Sequence, residues 1–230
     1  MPKKKNFWNK EYKKATHLAM SETHSEDLEK FTRFLQRKSG KQFLNVTTRV
    51  LDAGCGNGRN SIFLAQNFGV HGYGFDSSTE AIREATQNAE SLPLTFEIRS
   101  LTDPIPLKNN SVTIALDMMA SHVLKKDERE AFREELLRVI KPGGWLFFKT
   151  FLLDGDRNAE VLLQEHPGPE RGMYIHPEIG VAEYVWSEQD IIEFFEPYYT
   201  IHKIDRSHKH INKKGGAWKR RTASVYLEKN

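Results

Sequence analysis

The feature that most constrains this chain is an apolar run that leads directly into a glycine-rich turn. The run ends at Asp52, and Gly54, Gly56 and Gly58 follow at alternate positions. Apolar residues then recur at helical spacing over residues 62–68. This order predicts a strand, a tight turn and a helix in one continuous piece. Glycines in such a turn let a ligand approach the main chain, and the free N–H groups of the following helix face that ligand.

A second predicted strand supports a binding role for the turn. Residues 72–76 end in Asp76, about 20 residues beyond the glycines, where a mononucleotide-binding βαβ unit places the carboxylate that accepts hydrogen bonds from a ribose. A glycine-rich turn alone can be a simple connection, but a strand, a helix and an acid at these distances favour nucleotide-type binding. Because glycine stands at every second position, the turn differs from the dinucleotide pattern.

The run from Asp52 to Arg59 resembles the first motif of the class I S-adenosylmethionine-dependent methyltransferases, which reads acid-x-Gly-x-Gly-x-Gly. Within that class, the Gly-Asn-Gly-Arg-Asn-Ser sequence of residues 56–61 is most similar to small-molecule members of the methyltransferase type 11 and tellurite-resistance groups. A predicted helix, a Lys-Pro-Gly-Gly turn at residues 141–144 and an apolar strand over 145–151 also resemble the type 11 core.

The resemblance implies an α/β fold of the Rossmann-like class I methyltransferase type. Such a fold has a seven-stranded, mostly parallel sheet with an antiparallel last strand and helices on both faces. Residues 1–45 are then expected to form an N-terminal lid and a helix packed on the core. Residues 46–230 are expected to form the methyltransferase domain, with an inserted loop region at about 153–186. Patterns near 199–206 and 222–228 predict the last two strands.

By the same resemblance, residues at the ends of the strands would bind S-adenosyl-L-methionine. The product formed from this cofactor would be S-adenosyl-L-homocysteine. Asp76 would hold the ribose, and Asp117 would orient the methionine end. In many relatives the side chain of an acidic residue contacts the adenine. This chain has Ser100 at that position, with Leu101 beside it, and Asp103 is the candidate replacement for the acid. The predicted cofactor-binding residues are Asp52, Gly54, Cys55, Gly56, Asn57, Gly58, Arg59, Asp76, Ser77, Ser100, Leu101, Asp117 and Met118.

Three stretches are predicted to form an acceptor pocket: the N-terminal aromatic residues, the residues after Asp117, and an irregular region further along the chain. The aromatic residues Trp8 and Tyr12 near the N-terminus either form a lid over the cofactor or anchor the terminus on the core. Tyr174, His176 and Tyr184 lie in the irregular region and would complete the pocket. Loops of this length in compact domains often form lids or binding surfaces.

His122 follows the predicted fourth strand, and ligands of open α/β sheets bind beyond the carboxyl ends of such strands. Imidazole titrates near neutral pH, so His122 is either a general base or a histidine packed against the sheet. No metal site is expected, because His208 and His210 lack the cysteine or carboxylate partners of a strong site.

Charge and composition limit the partners and the compartment. The net charge of +3 is too small to imply nucleic-acid binding by itself. The basic stretches Lys3–Lys5 and Lys203–Arg221 are either solvated surface or contacts for RNA or another anionic partner. No apolar run approaches the roughly 20 residues of a membrane span. A single cysteine, Cys55, is consistent with a cytoplasmic protein, because it allows no internal disulfide. We interpret Cys55 as a small residue of the turn rather than as a nucleophile.

The combined prediction is a methyltransferase that acts on an oxygen, nitrogen or chalcogen atom of a small molecule. Methyl transfer from a sulfonium is an in-line displacement, so the protein mainly aligns the acceptor and balances charge. This chemistry requires no nucleophile motif, and none stands out in the sequence. RNA or protein methylation through the basic termini, and a cofactor-binding scaffold without catalysis, are the alternatives.

Overall fold

A computed structural model describes residues 2–17, 21–207 and 220–230, with side chains from Phe7 onward in those ranges. The α-helices are Pro2–Lys13 (α1), Glu26–Ser39 (α2), Arg59–Phe68 (α3), Thr79–Asn88 (α4), Lys126–Val139 (α5), Arg157–Glu165 (α6) and Glu188–Phe195 (α7). The strands are Arg49–Ala53 (β1), His71–Asp76 (β2), Leu94–Ile98 (β3), Val112–Met118 (β4), Ile140–Phe151 (β5), Met173–Ile175 (β6), Ala182–Tyr184 (β7), Tyr199–Arg206 (β8) and Thr222–Lys229 (β9). A short 3₁₀ turn, Ser121–Val123, lies between β4 and α5.

The main sheet has seven strands in the order β3-β2-β1-β4-β5-β9-β8. Strands β1 to β5 pair in parallel, and β9 runs antiparallel between β5 and β8. The predicted mostly parallel sheet with an antiparallel last strand is confirmed. The chain leaves β1 toward β2 on one side, and β4 lies on the other side of β1. This reversal of strand order creates a crevice at the carboxyl ends of β1 and β4, where ligands bind in such sheets.

Helices cover both faces of this sheet, as predicted. Side chains of consecutive strand residues point to opposite faces, so Val50 and Leu51 of β1 belong to two different cores. Val50 packs in the core that includes Phe31 of α2, whereas Leu51 packs in the core that includes Phe132 of α5. Burial on both faces explains why the central strands read as continuous apolar runs rather than as alternating patterns.

The sequence around residues 141–144 forms part of a strand instead of a separate turn. Strand β5 already begins at Ile140, directly after α5. Its pairing with β4 shifts register between Val112 and Ile114, and Gly143 has a positive φ of 70° there. The irregular register accommodates the proline and the two glycines without ending the strand.

Residues 153–186 contain more regular structure than their sequence pattern predicts. They include helix α6 and an antiparallel hairpin of β6 and β7, which forms a sheet of its own. Each hairpin strand has three residues, too few for a period to be recognised in the sequence. Strand β7 packs on the 3₁₀ turn that follows β4. Within the described ranges, none of the helices has the length and apolar character needed to cross a bilayer.

Candidate functional site

The carboxyl ends of β1, β2 and β4 open into a cleft of about 540 Å³. Ligand sites for small molecules have volumes of this order. The cleft collects most of the residues predicted to bind the cofactor. Those that line it are Gly54, Cys55, Gly56, Asn57, Arg59, Asp76, Ser77, Ser100, Leu101 and Met118.

The glycine turn forms the floor of the cleft, and close packing requires glycine at two of its positions. Gly54 and Gly56 have φ values of 72° and 57°, in the left-handed region that favours glycine. A β-carbon at residue 54 would overlap the side chain of Ala120, and one at residue 56 would overlap the hydroxyl of Tyr12. The main chain of the turn is therefore approached closely from two sides.

The carboxylate of Asp76 lies at the end of β2 and connects it to the glycine turn. It accepts the backbone N–H of Gly56 at 3.1 Å and that of Ser78 at 2.8 Å. Burial raises the pKa of Asp76, and these backbone donors offset part of that effect. A carboxylate has about four acceptor positions, so it can accept further hydrogen bonds from a ligand. The geometry fits the ribose-binding role expected of this residue.

Two other predicted acids, Asp52 and Asp117, lie behind the cleft wall and do not line it. Asp52 accepts a hydrogen bond from the hydroxyl of Ser61 at 2.7 Å, and burial raises the pKa of Asp52 to about 6. Asp117 accepts the backbone N–H of Ser121 at 3.1 Å, and burial raises its pKa as well. With Asp76, these acids stand at the ends of three adjacent strands, where a positively charged ligand would be favoured. Gly58, which was also predicted to bind the cofactor, lies directly before α3 and does not line the cleft.

Helix α1 lies across the cleft, and Trp8 and Tyr12 line it from that side. The side-chain oxygen of Asn9 accepts hydrogen bonds from the hydroxyl of Ser78 at 2.9 Å and from the backbone of Glu80 at 3.4 Å. These bonds attach α1 to the first turn of α4. Burial, followed by the charge of Asp76, raises the pKa of Tyr12, so its phenol stays neutral. Helix α1 therefore lines the cleft and is attached to α4 beside it.

The other residues predicted for the acceptor pocket do not line the cleft. Tyr174 is fully buried in the hairpin region, and its hydroxyl bonds to Glu183 and Arg220. The ring of Tyr184 lies under the guanidinium of Arg129, 3.8 Å from its carbon. His176 accepts a hydrogen bond from a backbone N–H two residues later at 3.3 Å. The arginine partners of the two tyrosines lie tens of residues away in the chain, and these contacts hold the tyrosine side chains away from the cleft.

The ring of His122 also faces away from the cleft. Its side chain is almost fully buried, its Nε2 lies 3.7 Å from a carboxylate oxygen of Glu183, and its edge contacts the ring of Phe151 at 5.1 Å between centroids. A general base must come within hydrogen-bond reach of its substrate. This geometry fits the alternative expectation, a histidine packed against the sheet.

The residues after Asp117, predicted as a stretch for the acceptor pocket but not individually, form one side of the cleft. Met119, Ala120, Val123, Leu124 and Glu128 form this side of the cleft. Their position directly after a predicted strand end was a usable signal for the first two. The 3₁₀ turn that brings the others into the cleft has no period that a sequence would reveal.

Described cations of the Lys203–Arg221 stretch pair with acids. Arg220 pairs with Asp156 at 3.0 Å, and Lys203 pairs with Asp205 at 3.2 Å. The side chains of Lys3–Lys5 and the whole of residues 208–219, with His208 and His210, lie outside the described residues. Among the residues that are described, no group of three or more His, Cys, Asp or Glu side chains could hold a metal ion.

Residues 50–144 match the family model for a methyltransferase domain. The chain is 29% identical over 137 residues to the glycine/sarcosine/dimethylglycine N-methyltransferase of Actinopolyspora halophila. The aligned residues make up 57% of this chain and 24% of that protein. The chain is 28% identical over 140 residues to the 2-methyl-6-phytyl-1,4-hydroquinone methyltransferase of a Synechocystis strain, with 60% of this chain and 42% of that protein covered. The chain therefore spans less than half the length of either relative.

Solved structures extend the likeness of fold to the flanking regions. The crystal structure of a SAM-dependent methyltransferase from Methanosarcina mazei superposes with a TM-score of 0.69 at 20% identity. The superposition covers 81% of this chain and 94% of that one. At this identity the agreement concerns the fold alone.

Proposed function

We propose that this chain is a class I methyltransferase, which transfers a methyl group from S-adenosyl-L-methionine to an oxygen, nitrogen or chalcogen atom of a small molecule. Its glycine turn, its sheet order and the matched domain support this proposal. One observation carries the proposal. The cleft lies at the reversal of strand order and joins the glycine turn directly to the carboxylate of Asp76 through the 3.1 Å bond to Gly56.

The residues of the cleft suit the proposed cofactor. Gly54 and Gly56 keep the main chain free of side chains, and Asp76 retains acceptor positions for ribose hydroxyls. Ser100 and Leu101 line the adjoining end, where we propose that the adenine binds. When bound, S-adenosyl-L-methionine supplies an electrophilic methyl group on a positively charged sulfur. The three buried acids at the strand ends provide negative charge that would favour such a cation.

The cover over the cleft supports a small acceptor. Trp8 and Tyr12 close one side, and Val123 and Leu124 form the other, so the enclosed space suits a small molecule better than a polymer. The two relatives named above act, by name, on glycine derivatives and on a hydroquinone. The described cations between Lys203 and Arg221 have internal partners, and they give no support to an RNA substrate.

The proposed reaction relies on alignment rather than on a proton-transferring side chain. Holding an acceptor atom in line with a reactive group supplies much of the rate acceleration of such displacements. The ring of His122 faces Glu183 and is not offered to the cleft. We therefore propose that the acceptor is held by the residues that follow β4 and by α1, and that His122 contributes to structure.

Isothermal titration with S-adenosyl-L-methionine and S-adenosyl-L-homocysteine tests the first half of the proposal. Detection of S-adenosyl-L-homocysteine across a panel of small oxygen, nitrogen and chalcogen nucleophiles, with bulk RNA as a separate arm, tests the second half. Binding of both compounds and turnover of a small molecule are expected. Binding without turnover of any acceptor would favour a scaffold, and absence of binding would overturn the proposal.

A further inference from the structure

The segment that follows β4, residues 119–124, forms one wall of the cleft and is held from behind by the β6–β7 hairpin. We call residues 119–124 the wall segment. Its Met119, Ala120, Val123 and Leu124 line the cleft, whereas the side chain of His122 points the other way, toward β7. Consecutive residues of β7 point to opposite sides, so the strand can contact the wall segment at two places.

The first contact joins Glu183 of β7 to His122. Both side chains are almost fully buried, and Nε2 of His122 lies 3.7 Å from a carboxylate oxygen of Glu183. Burial acts to raise the pKa of Glu183, yet the nearby imidazole of His122 and the hydrogen bond from Tyr174 bring it below the ordinary value. The carboxylate therefore stays ionised and holds its partners at neutral pH.

Glu183 is itself fixed from its far side. The hydroxyl of Tyr174 donates to its carboxylate, and Arg220 donates to the oxygen of that hydroxyl. Arg220 in turn bonds to Asp156, the residue that caps α6, at 3.0 Å. These bonds restrict the movement of the groups that they join, although Nη2 of Arg220 has no hydrogen-bond partner among the described residues. Glu183 is thus a fixed point against which the wall segment rests.

The second contact passes through Arg129 of α5. One nitrogen of its guanidinium donates to the backbone carbonyl of Leu124 at 2.5 Å, at the end of the wall segment. The same guanidinium stacks on the ring of Tyr184 at 3.8 Å and pairs with Glu170 at 3.4 Å. Gly172 permits this arrangement, because a β-carbon there would come within 2.7 Å of the Tyr184 ring.

The backbone of the wall segment needs such support. Met119 has a positive φ of 62°, a conformation that costs a residue with a side chain on the order of 1 kcal/mol or more. Its N–H donates to the carbonyl of Lys149 at 2.8 Å, which holds the beginning of the segment. A strained backbone persists only where its surroundings fix it, and here the hairpin fixes the other end.

We propose that Glu183 is a positioning residue, which through His122 holds the wall segment and so sets the acceptor side of the cleft. This inference rests on the proposed function, because that function assigns the acceptor to this side of the cleft. The β6–β7 hairpin thereby supports one wall of the cleft, although its own side chains do not line the cleft. This role also accounts for the orientation of His122, whose ring faces Glu183 of β7 and not the cleft.

Amide hydrogen exchange, followed by mass spectrometry on the ligand-free protein, tests this role. Glu183→Ala removes the contact with His122, and exchange in residues 119–124 should become about tenfold faster, while exchange in residues 54–60 stays unchanged. Glu183→Gln keeps an acceptor of the same length and should restore the wild-type rate. Tyr174→Phe removes one of the bonds that fix Glu183 but leaves its contact with His122, so exchange in residues 119–124 should accelerate less than in Glu183→Ala.

Unchanged exchange in residues 119–124 of Glu183→Ala, or equal acceleration in Tyr174→Phe, would overturn the proposal. If Glu183→Ala does not fold, His122→Phe removes the same contact while keeping a buried ring, and the same acceleration is expected. Titration with S-adenosyl-L-homocysteine should give a Kd within about twofold of wild type for each variant. Failure of the wild type to bind that compound would refute the proposed function and leave the exchange result standing.

Discussion

The hydroxyl of Tyr12 lies over the α-carbon of Gly56, in the space that a β-carbon at residue 56 would fill. Helix α1 and the glycine turn therefore pack directly against each other at the floor of the cleft. Glycine is required at this position for two reasons, the positive φ of 57° and the contact with Tyr12. The contact also explains how a helix from the N-terminus can cover the cleft so closely.

Gly56→Ala should weaken the binding of S-adenosyl-L-homocysteine by about tenfold or more, because either α1 or the turn must move. Gly40→Ala is a matched control, since Gly40 has the same φ of 57° with nothing within 4 Å of a built β-carbon. Titration calorimetry should give a Kd near wild type for the control. Adding Tyr12→Phe to Gly56→Ala should recover part of the affinity, and equal losses in Gly40→Ala and Gly56→Ala would contradict the explanation.

Asp76→Ala should reduce the affinity for S-adenosyl-L-homocysteine by about 1–3 kcal/mol, the scale for losing hydrogen bonds to a charged group. The N–H of Gly56 would also lose its acceptor, which loosens the turn. Asp205→Ala serves as the control, because it removes a carboxylate that pairs with Lys203 and does not line the cleft. An Asp76→Ala variant that binds as tightly as wild type would remove the ribose assignment.

The sequence predicted the floor of the cleft because its residues are contiguous with two strand ends. Gly54, Gly56 and Asp76 stand in a strand-turn-helix pattern whose geometry is local, and that pattern is sufficient to bring them to one place. Val123 and Leu124 were predicted only as part of the stretch after Asp117, because they enter the cleft through a 3₁₀ turn. A turn of three residues leaves no periodic signal.

The predicted acceptor residues of the hairpin region show the opposite failure. Tyr174 and Tyr184 are aromatic residues in an irregular stretch, and such residues suggest a binding surface. Their orientation depends on Arg220 and Arg129, which lie tens of residues away along the chain. The sequence contains both partners but not their proximity. Long-range ion and ring contacts of this kind override any local pattern.

The buried carboxylate of Asp52 should make the protein more stable as the pH falls from 7 toward 5. Burial raises its pKa in the folded protein from the ordinary 3.8 to about 6, so the folded state takes up a proton before the unfolded chain does. The cost of the ionised form at pH 7 is on the order of 3 kcal/mol. Asp52→Asn should remove this cost and stabilise the protein more at pH 7.5 than at pH 4.5, as measured by urea unfolding.

Asp27→Asn is the control of opposite sign for that experiment. Although burial acts to raise the pKa of Asp27, its bonds with Lys149 and Lys30 lower it, so its ionised form stabilises the fold above its unfolded pKa. Both pH values lie above the ordinary pKa of 3.8, so this variant should lose about the same stability at pH 7.5 as at pH 4.5. A stability gain for Asp52→Asn that does not change with pH would show that Asp52 ionises normally in the folded protein.

The attachment of α1 to α4 should control how long a ligand stays in the cleft. Asn9→Ala removes the acceptor that binds Ser78 at 2.9 Å and Glu80 at 3.4 Å, and α1 should then leave the cleft more often. Stopped-flow displacement should show dissociation of S-adenosyl-L-homocysteine about threefold to tenfold faster, with a smaller change in association. Lys13→Ala is the control, since its exposed ion pair with Glu80 at 3.5 Å contributes little. Equal dissociation rates in Asn9→Ala and the wild type would mean that α1 does not limit ligand release.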